Sequence, residues 1–315
     1  MKRLFNRCLL ILSGAALLST SVMANEPASC KTVRMGVVNW TDVMATSGMA
    51  DVLLTGLGYD SKQTSAVQQI VFAGIRDKRL DIFLGYWKPA MDQNIAPFVA
   101  ANQVKVMEKP SLADAQATLA VPEYVAAAGL KTFADIAKFK DQLGGKIYGI
   151  EPGSGANAAI KTMIETNHFG LGGFKLIESG EAGMLAAVQR AVNRKEFVVF
   201  VGWTPHPMNI NMKMAYLTGS EDVYGPNEGA ATVSTVTAPD YAERCPNVNR
   251  LLENLTFTAA QESQLMVPIM ARKTPQEVAK QWLRAHPDDL QRWLAGVTSV
   301  DGKDGVATVQ ASLKP

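Results

Sequence analysis

Thr32-Val33-Arg34-Met35-Gly36-Val37-Val38-Asn39-Trp40-Thr41-Asp42 is a short apolar run that ends on a tryptophan and two helix-starting residues. Its β-branched content predicts a strand over 32–38. From 43 to 57 the apolar residues Met44, Met49, Val52 and Leu53 recur at helical spacing, and Gly58 ends the pattern. A strand feeding directly into a helix then recurs down the chain. Strands are expected at 62–67, 79–85, 117–121, 146–150, 174–177, 196–202, 214–217 and 231–237. Helices are expected between them, at 68–76, 89–101, 133–138, 156–166 and 182–192. The last third reads as helical over 247–254, 258–266, 274–285 and 287–296, and the polar residues from Lys303 onward as poorly ordered. This alternation is the signature of an α/β fold.

The setting of Trp40 occurs twice more, in Phe83-Leu84-Gly85-Tyr86-Trp87-Lys88-Pro89 and in Phe200-Val201-Gly202-Trp203-Thr204-Pro205-His206-Pro207. Open α/β sheets bind ligands at the carboxyl ends of their strands. Three indole faces at three such ends would converge on one cleft. A quaternary ammonium suits such a cage, because it has no N–H to donate and π-faces are its natural partners. A single Trp is more simply explained as core packing; three in one local setting favour the cage. Trp282 and Trp293 lie at apolar helical positions and read as packing.

Asp42 would give the cage a negative charge, and equally well, with Thr41, an N-cap for the helix that follows. Gly153-Ser154-Gly155 stands between a strand and a helix, where backbone N–H groups can receive an anionic group. It is not a dinucleotide fingerprint, which needs G-x-G-x-x-G. Ser154 is not in a nucleophile elbow either, since Pro152 stands two residues before it. His206, between two prolines, reads as a hydrogen-bonded structural histidine before a functional one. Tyr86 reaches the cleft only if it does not follow strand alternation, which turns neighbours to opposite faces.

Lys2, Arg3 and Arg7, a mostly apolar run from Cys8 to Leu18, and Val22 with Ala24 form a secretory leader ending at residue 24. Its removal takes away three positive charges and no acid, turning the formal +2 into −1. That near-neutral balance argues against a nucleic-acid partner. Cys30 and Cys245 remain. In an oxidising compartment one long-range disulfide is the economical reading, with two free thiols as the alternative. His168, His206 and His286 are scattered, so no metal is expected, and no cofactor motif is present. The length calls for two domains. A Cys30–Cys245 bond would put both chain ends in one of them, giving residues 25–111 with 211–315 as the first lobe, 112–210 as the second, two crossing strands, and a cleft between.

Val38–Asp42, Asp81–Pro89, Thr118–Pro122, Ala134–Lys140, Lys146–Gly153, Gly202–Asn209 and Trp293–Thr298 together make the chain resemble a known group. These are the periplasmic glycine betaine/choline-type substrate-binding proteins of ABC transporters, nearest their choline-binding branch. The resemblance runs through nearly all of the chain after the leader. It implies a two-lobed Venus-flytrap fold, a periplasmic monomer that delivers ligand to a membrane permease, no enzymatic activity, and a Cys30–Cys245 bond within one lobe. It also carries the family's aromatic box onto Trp40, Trp87 and Trp203, and its acidic partner onto Asp42.

Three positions depart from the choline-binding pattern. Ala117 replaces a tyrosine wall, Ser154 replaces an asparagine (with Asn157 one turn on), and Tyr86 replaces an aspartate. Loss of a wall and of an acid predicts room for a longer, zwitterionic ligand, with its carboxylate near Gly153, Ser154 and Asn157. Carnitine is therefore expected ahead of choline or glycine betaine, unless Tyr86 swings in to rebuild the wall. A secreted choline-ester hydrolase is the alternative from another class, and it lacks a visible nucleophile–base pair.

Overall fold

The alternating apolar runs form ten strands of one mixed sheet. In the computed structural model, which describes residues 26–314, these are β1 (Thr32–Val37), β2 (Asp60–Ser65), β3 (Ile82–Lys88), β4 (Lys105–Val106), β5 (Leu112–Pro122), β6 (Lys146–Tyr148), β7 (Lys175–Ile177), β8 (Phe200–Thr204), β9 (Met214–Tyr216) and β10 (Ala230–Thr237). The expected leader, residues 1–24, lies outside the described residues. The strand order is β2-β1-β3-β10-β5-β8-β6-β7, with β4 beside β10 and β9 beside β5.

Two parallel groups are built from strand–helix–strand units. β1 lies between β2 and β3, and β6 between β7 and β8. Antiparallel β10 and β5 join them. β5 is the longest strand because it serves both sides: its first residues pair with β10 and its last with β8 and β9. This is the two-lobed α/β arrangement the alternation predicts; the expected first boundary, 111/112, stands at the start of β5, and we propose that the chain crosses between the lobes along this strand. The second boundary was expected at 210/211. β9 lies beyond that point yet pairs with Ala120–Pro122, and Tyr224 packs on Phe133 at 5.7 Å. On these contacts we propose that the second lobe continues to about Gly229, with β10 as the returning crossing.

Helix α1 (Thr41–Gly56) follows β1 and has buried residues on nearly every face, among them Ala45, Met49, Ala50, Leu53 and Leu54. A helix that is apolar all round must be covered all round. The helices Ala259–Met270, Pro275–Ala285 and Gly305–Ser312 do this from the C-terminal third. The approach is tight: a Cβ on Gly48 would stand 2.4 Å from the Pro275 ring.

Gly305–Ser312 corrects the expectation of a poorly ordered end. Asp304 caps the helix by accepting from Ala307 N at 2.7 Å, Val309 is fully buried, and Arg284 Nε donates to Leu313 O at 2.7 Å. Gly305 and Val309 are its buried residues and approach Leu57 and Gly56 of the α1 end, a contact that the polar residues Lys303 and Asp304 ahead of the helix gave no sign of. Cys30 and Cys245 are disulfide-bonded, with Cα atoms 5.6 Å apart, tying the start of β1 to the turn before helix Pro246–Asn254. Trp293 is fully buried and donates to Thr256 O, as expected of a packing residue, whereas Trp282 stacks on His286 nearer the surface.

Candidate functional site

Trp40 is the last residue before α1, Trp87 the penultimate residue of β3, and Trp203 the penultimate residue of β8. The first two come from the β1–β3 part of the sheet and the third from β8, and all three line one small cavity of about 50 Å³. Asp42, Ala90, Met91, Ala117, Ile150, Ser154 and Val201 complete most of its wall. Ala117 faces the same space as Trp203 because the two are register partners across β5 and β8. The wall contains no lysine or arginine.

The indole N–H groups of Trp40 and Trp87 are both engaged by acids of the site. Trp87 Nε1 donates to Asp42 Oδ2 at 2.9 Å, and Trp40 Nε1 donates to both Glu151 carboxylate oxygens at 2.9 Å. Two of the three tryptophans are thus held by carboxylates, and Trp203 packs instead against the His206 ring. Asp42 is buried, and its second oxygen, Oδ1, has no protein partner. Burial, and then the nearby Glu181 carboxylate, push its pKa up to about 6, against the pull of the Trp87 hydrogen bond. Burial raises Glu151 as well. A buried acid with an unpaired oxygen in a cation-free cavity is a place where a positive ligand gains most.

Sequence reasoning missed the acids behind the walls. Glu181, the first residue of helix Glu181–Arg194, accepts from Thr41 N at 2.9 Å and from Thr41 Oγ1. The geometric N-cap of α1 is Trp40, with no cap from its own side chain, so neither Thr41 nor Asp42 is the N-cap. Glu151 was within reach of sequence reading, since Glu-Pro-Gly after a strand places an acid at a strand end. Glu181 carries no local signal, because its partner is 140 residues away.

Several expected site residues lie just behind the cavity. Tyr86 faces the other side of β3 and hydrogen-bonds Asp92, outside the cage lining, so it does not rebuild the missing wall. Ser154 lines the cavity while capping helix Gly155–Glu165 by accepting from Asn157 N at 3.3 Å. Asn157 is fully buried outside the lining. Its amide oxygen accepts from Ile150 N, and its NH2 donates to Ile150 O, Glu151 O and Glu178 Oε1. It therefore shapes the loop that carries Glu151 and Ser154. Gly153, also outside the lining, has φ +84°, a left-handed turn that favours glycine, and its carbonyl accepts from Gln69. His206 packs edge-on against Trp203, with ring centroids 4.9 Å apart. Its Nδ1 accepts from Met208 N at 3.0 Å, so the ring proton is on Nε2, which faces Glu181 at 3.2 Å.

The chain is similar to several known proteins. A solved choline-binding protein of an ABC transporter, in complex with choline, is 44% identical with a TM-score of 0.90, covering 92% of this chain and all of that one. A choline-binding protein in an unliganded semi-closed conformation is 43% identical with a TM-score of 0.83, over 91% of this chain and all of that one. The glycine betaine/carnitine transport binding protein GbuC of Listeria monocytogenes is 31% identical over 164 residues. That match spans 52% of this chain and about half, 54%, of the relative. These are binding proteins of transport systems, and this chain is likewise not an enzyme. Residues 31–285 match the model described as the substrate binding domain of the ABC-type glycine betaine transport system, and the chain belongs to that family.

Proposed function

We propose that the chain captures a compact quaternary ammonium compound, with choline ahead of carnitine, and presents it to the permease of an ABC importer from the periplasm. The observation that carries this reading is the unpaired Asp42 Oδ1 in an apolar cavity walled by three tryptophans. Each cation–π wall contributes about 0.5–2 kcal/mol when desolvated. Three walls, the acid and burial of the methyl groups together reach the roughly 8 kcal/mol of a micromolar complex.

The wall at Ala117 favoured carnitine in the sequence. The surroundings weigh the other way. Asp42 lines the cavity with Glu151 and Glu181 behind its walls, no cationic side chain lines it, and the NH2 group of Asn157 is already engaged. A ligand carboxylate would meet repulsion with only the N–H groups at the start of helix Gly155–Glu165 to receive it. A hydroxyl needs less. Carnitine or glycine betaine remains the second reading, favoured by that helix start and by the small side chain of Ala117.

The charge is tested with 3,3-dimethyl-1-butanol, the neutral isostere of choline, by tryptophan fluorescence titration. Choline is expected to bind at least 100-fold tighter. Equal affinities would refute a cation cage, and tighter carnitine than choline would return the assignment to the zwitterion.

A further inference from the structure

Glu181 lies outside the cavity lining yet bonds both Thr41, next to Trp40, and His206, against Trp203. It belongs to the second lobe, and its carboxylate reaches across to α1 of the first. There Oε2 accepts from Thr41 N at 2.9 Å and Oε1 from Thr41 Oγ1. The first N–H groups of a helix lack intrahelical partners and favour a negative charge. The N-cap residue Trp40 offers them no side-chain acceptor, so Glu181 supplies from the other lobe the cap that α1 lacks in its own sequence. The same Oε1 faces His206 Nε2 at 3.2 Å, and His206 supports Trp203. One carboxylate, 6% exposed, thereby fixes the residue after Trp40 and the residue behind Trp203.

Resting on the reading of the cleft as a ligand trap, we propose that Glu181 is the latch of the closed state, a positioning residue that caps α1 only when the lobes meet. When they part, α1 loses its acceptor and Glu181 regains water. The latch is coupled to the ligand by charge. Closure brings Glu181 near Asp42, where its charge disfavours ionisation of that acid. A bound cation offsets this repulsion, so the latch engages stably with ligand and only briefly without it.

The experiment uses single-molecule fluorescence transfer between labels at Ile70→Cys and Ile210→Cys, exposed positions on the two lobes. In ligand-free protein, Glu181→Ala should shorten closed dwell times at least tenfold, and Thr41→Val, which keeps the N–H and loses the hydroxyl, by a smaller factor. Choline should then dissociate 10- to 100-fold faster from Glu181→Ala while associating at a similar rate. The ligand-free melting temperature should stay within about 2 °C, since a general folding defect would lower it. Closed dwell times unchanged by Glu181→Ala overturn the latch whatever the ligand proves to be. Failure of the parent protein to bind choline refutes the ligand assignment and leaves the dwell-time result to judge the latch.

Discussion

Replacing Gly155 with alanine should separate binding from folding. Gly155 is the first residue of its helix and meets Ala90 of the other lobe. A Cβ there would stand 2.0 Å from the Ala90 carbonyl oxygen and 2.6 Å from its carbon, where ordinary contact begins at 3.4 Å. Both near neighbours are backbone, so they cannot rotate aside. The lobes must part by about 1.4 Å, the difference between 3.4 and 2.0 Å. Interlobe bonds of 2.9 Å, from Trp40 to Glu151 and from Thr41 to Glu181, would pass beyond hydrogen-bond reach. Hydrogen bonds to charged groups contribute about 1.5–3 kcal/mol each. Losing two costs about 3–6 kcal/mol, a Kd some 10²- to 10⁴-fold weaker. The ligand-free protein should not suffer, because alanine in a helix is favoured over glycine by roughly 0.5–1 kcal/mol. Calorimetric titration with choline and scanning calorimetry of the ligand-free protein read the two effects. A Kd within about threefold of the parent would refute the claim that binding requires this closure.

Asp42 gives a pH prediction of definite sign. Its folded pKa, about 6, stands above the ordinary 3.8, so its contribution to stability is full below 3.8 and is lost as pH rises through about 6. Asp42→Asn should therefore raise the ligand-free melting temperature at pH 7, by an amount equivalent to about 3 kcal/mol at most, while weakening choline at least tenfold; an unchanged melting temperature would contradict the buried charge. Choline affinity of the parent should fall below pH 6 by about tenfold per unit, with proton release on binding near that pH measured from titrations in buffers of different ionisation enthalpy. Tyr86→Phe should leave choline affinity within about threefold, because the phenol bonds Asp92 away from the cage; a larger loss would place Tyr86 in the binding wall. Removing the disulfide by Cys30→Ala with Cys245→Ala should lower stability by about 2–5 kcal/mol in denaturant unfolding and leave binding at 25 °C intact.

The parts of this molecule governed by local pattern were legible in the sequence. Helix 68–76 and strands β1 and β7 fall within a residue of expectation because apolar spacing and flanking turn residues set them. The three tryptophans and Asp42 were legible because each follows or ends a strand, and strand ends of such sheets face the cleft. The bond between Cys30 and Cys245 was legible by elimination and by family resemblance. What depends on the other lobe was not. Thr41 reads as a cap, yet the capping acceptor is Glu181, 140 residues along the chain. Asn157 reads as a ligand contact, but its NH2 group is taken up by Ile150 O, Glu151 O and Glu178, outside the cavity lining. The helix Gly305–Ser312 was hidden because it is short and because its fold depends on a contact with α1 far away in the sequence.

The central claim is that the cavity among Trp40, Trp87 and Trp203 holds a quaternary ammonium group. Calorimetric titration of unfolded and refolded protein, freed of carried-over ligand, with choline, glycine betaine and carnitine in parallel tests it most directly. The geometry predicts a choline Kd in the micromolar range or tighter, with both zwitterions weaker. No heat of binding with any of the three would contradict the cage itself.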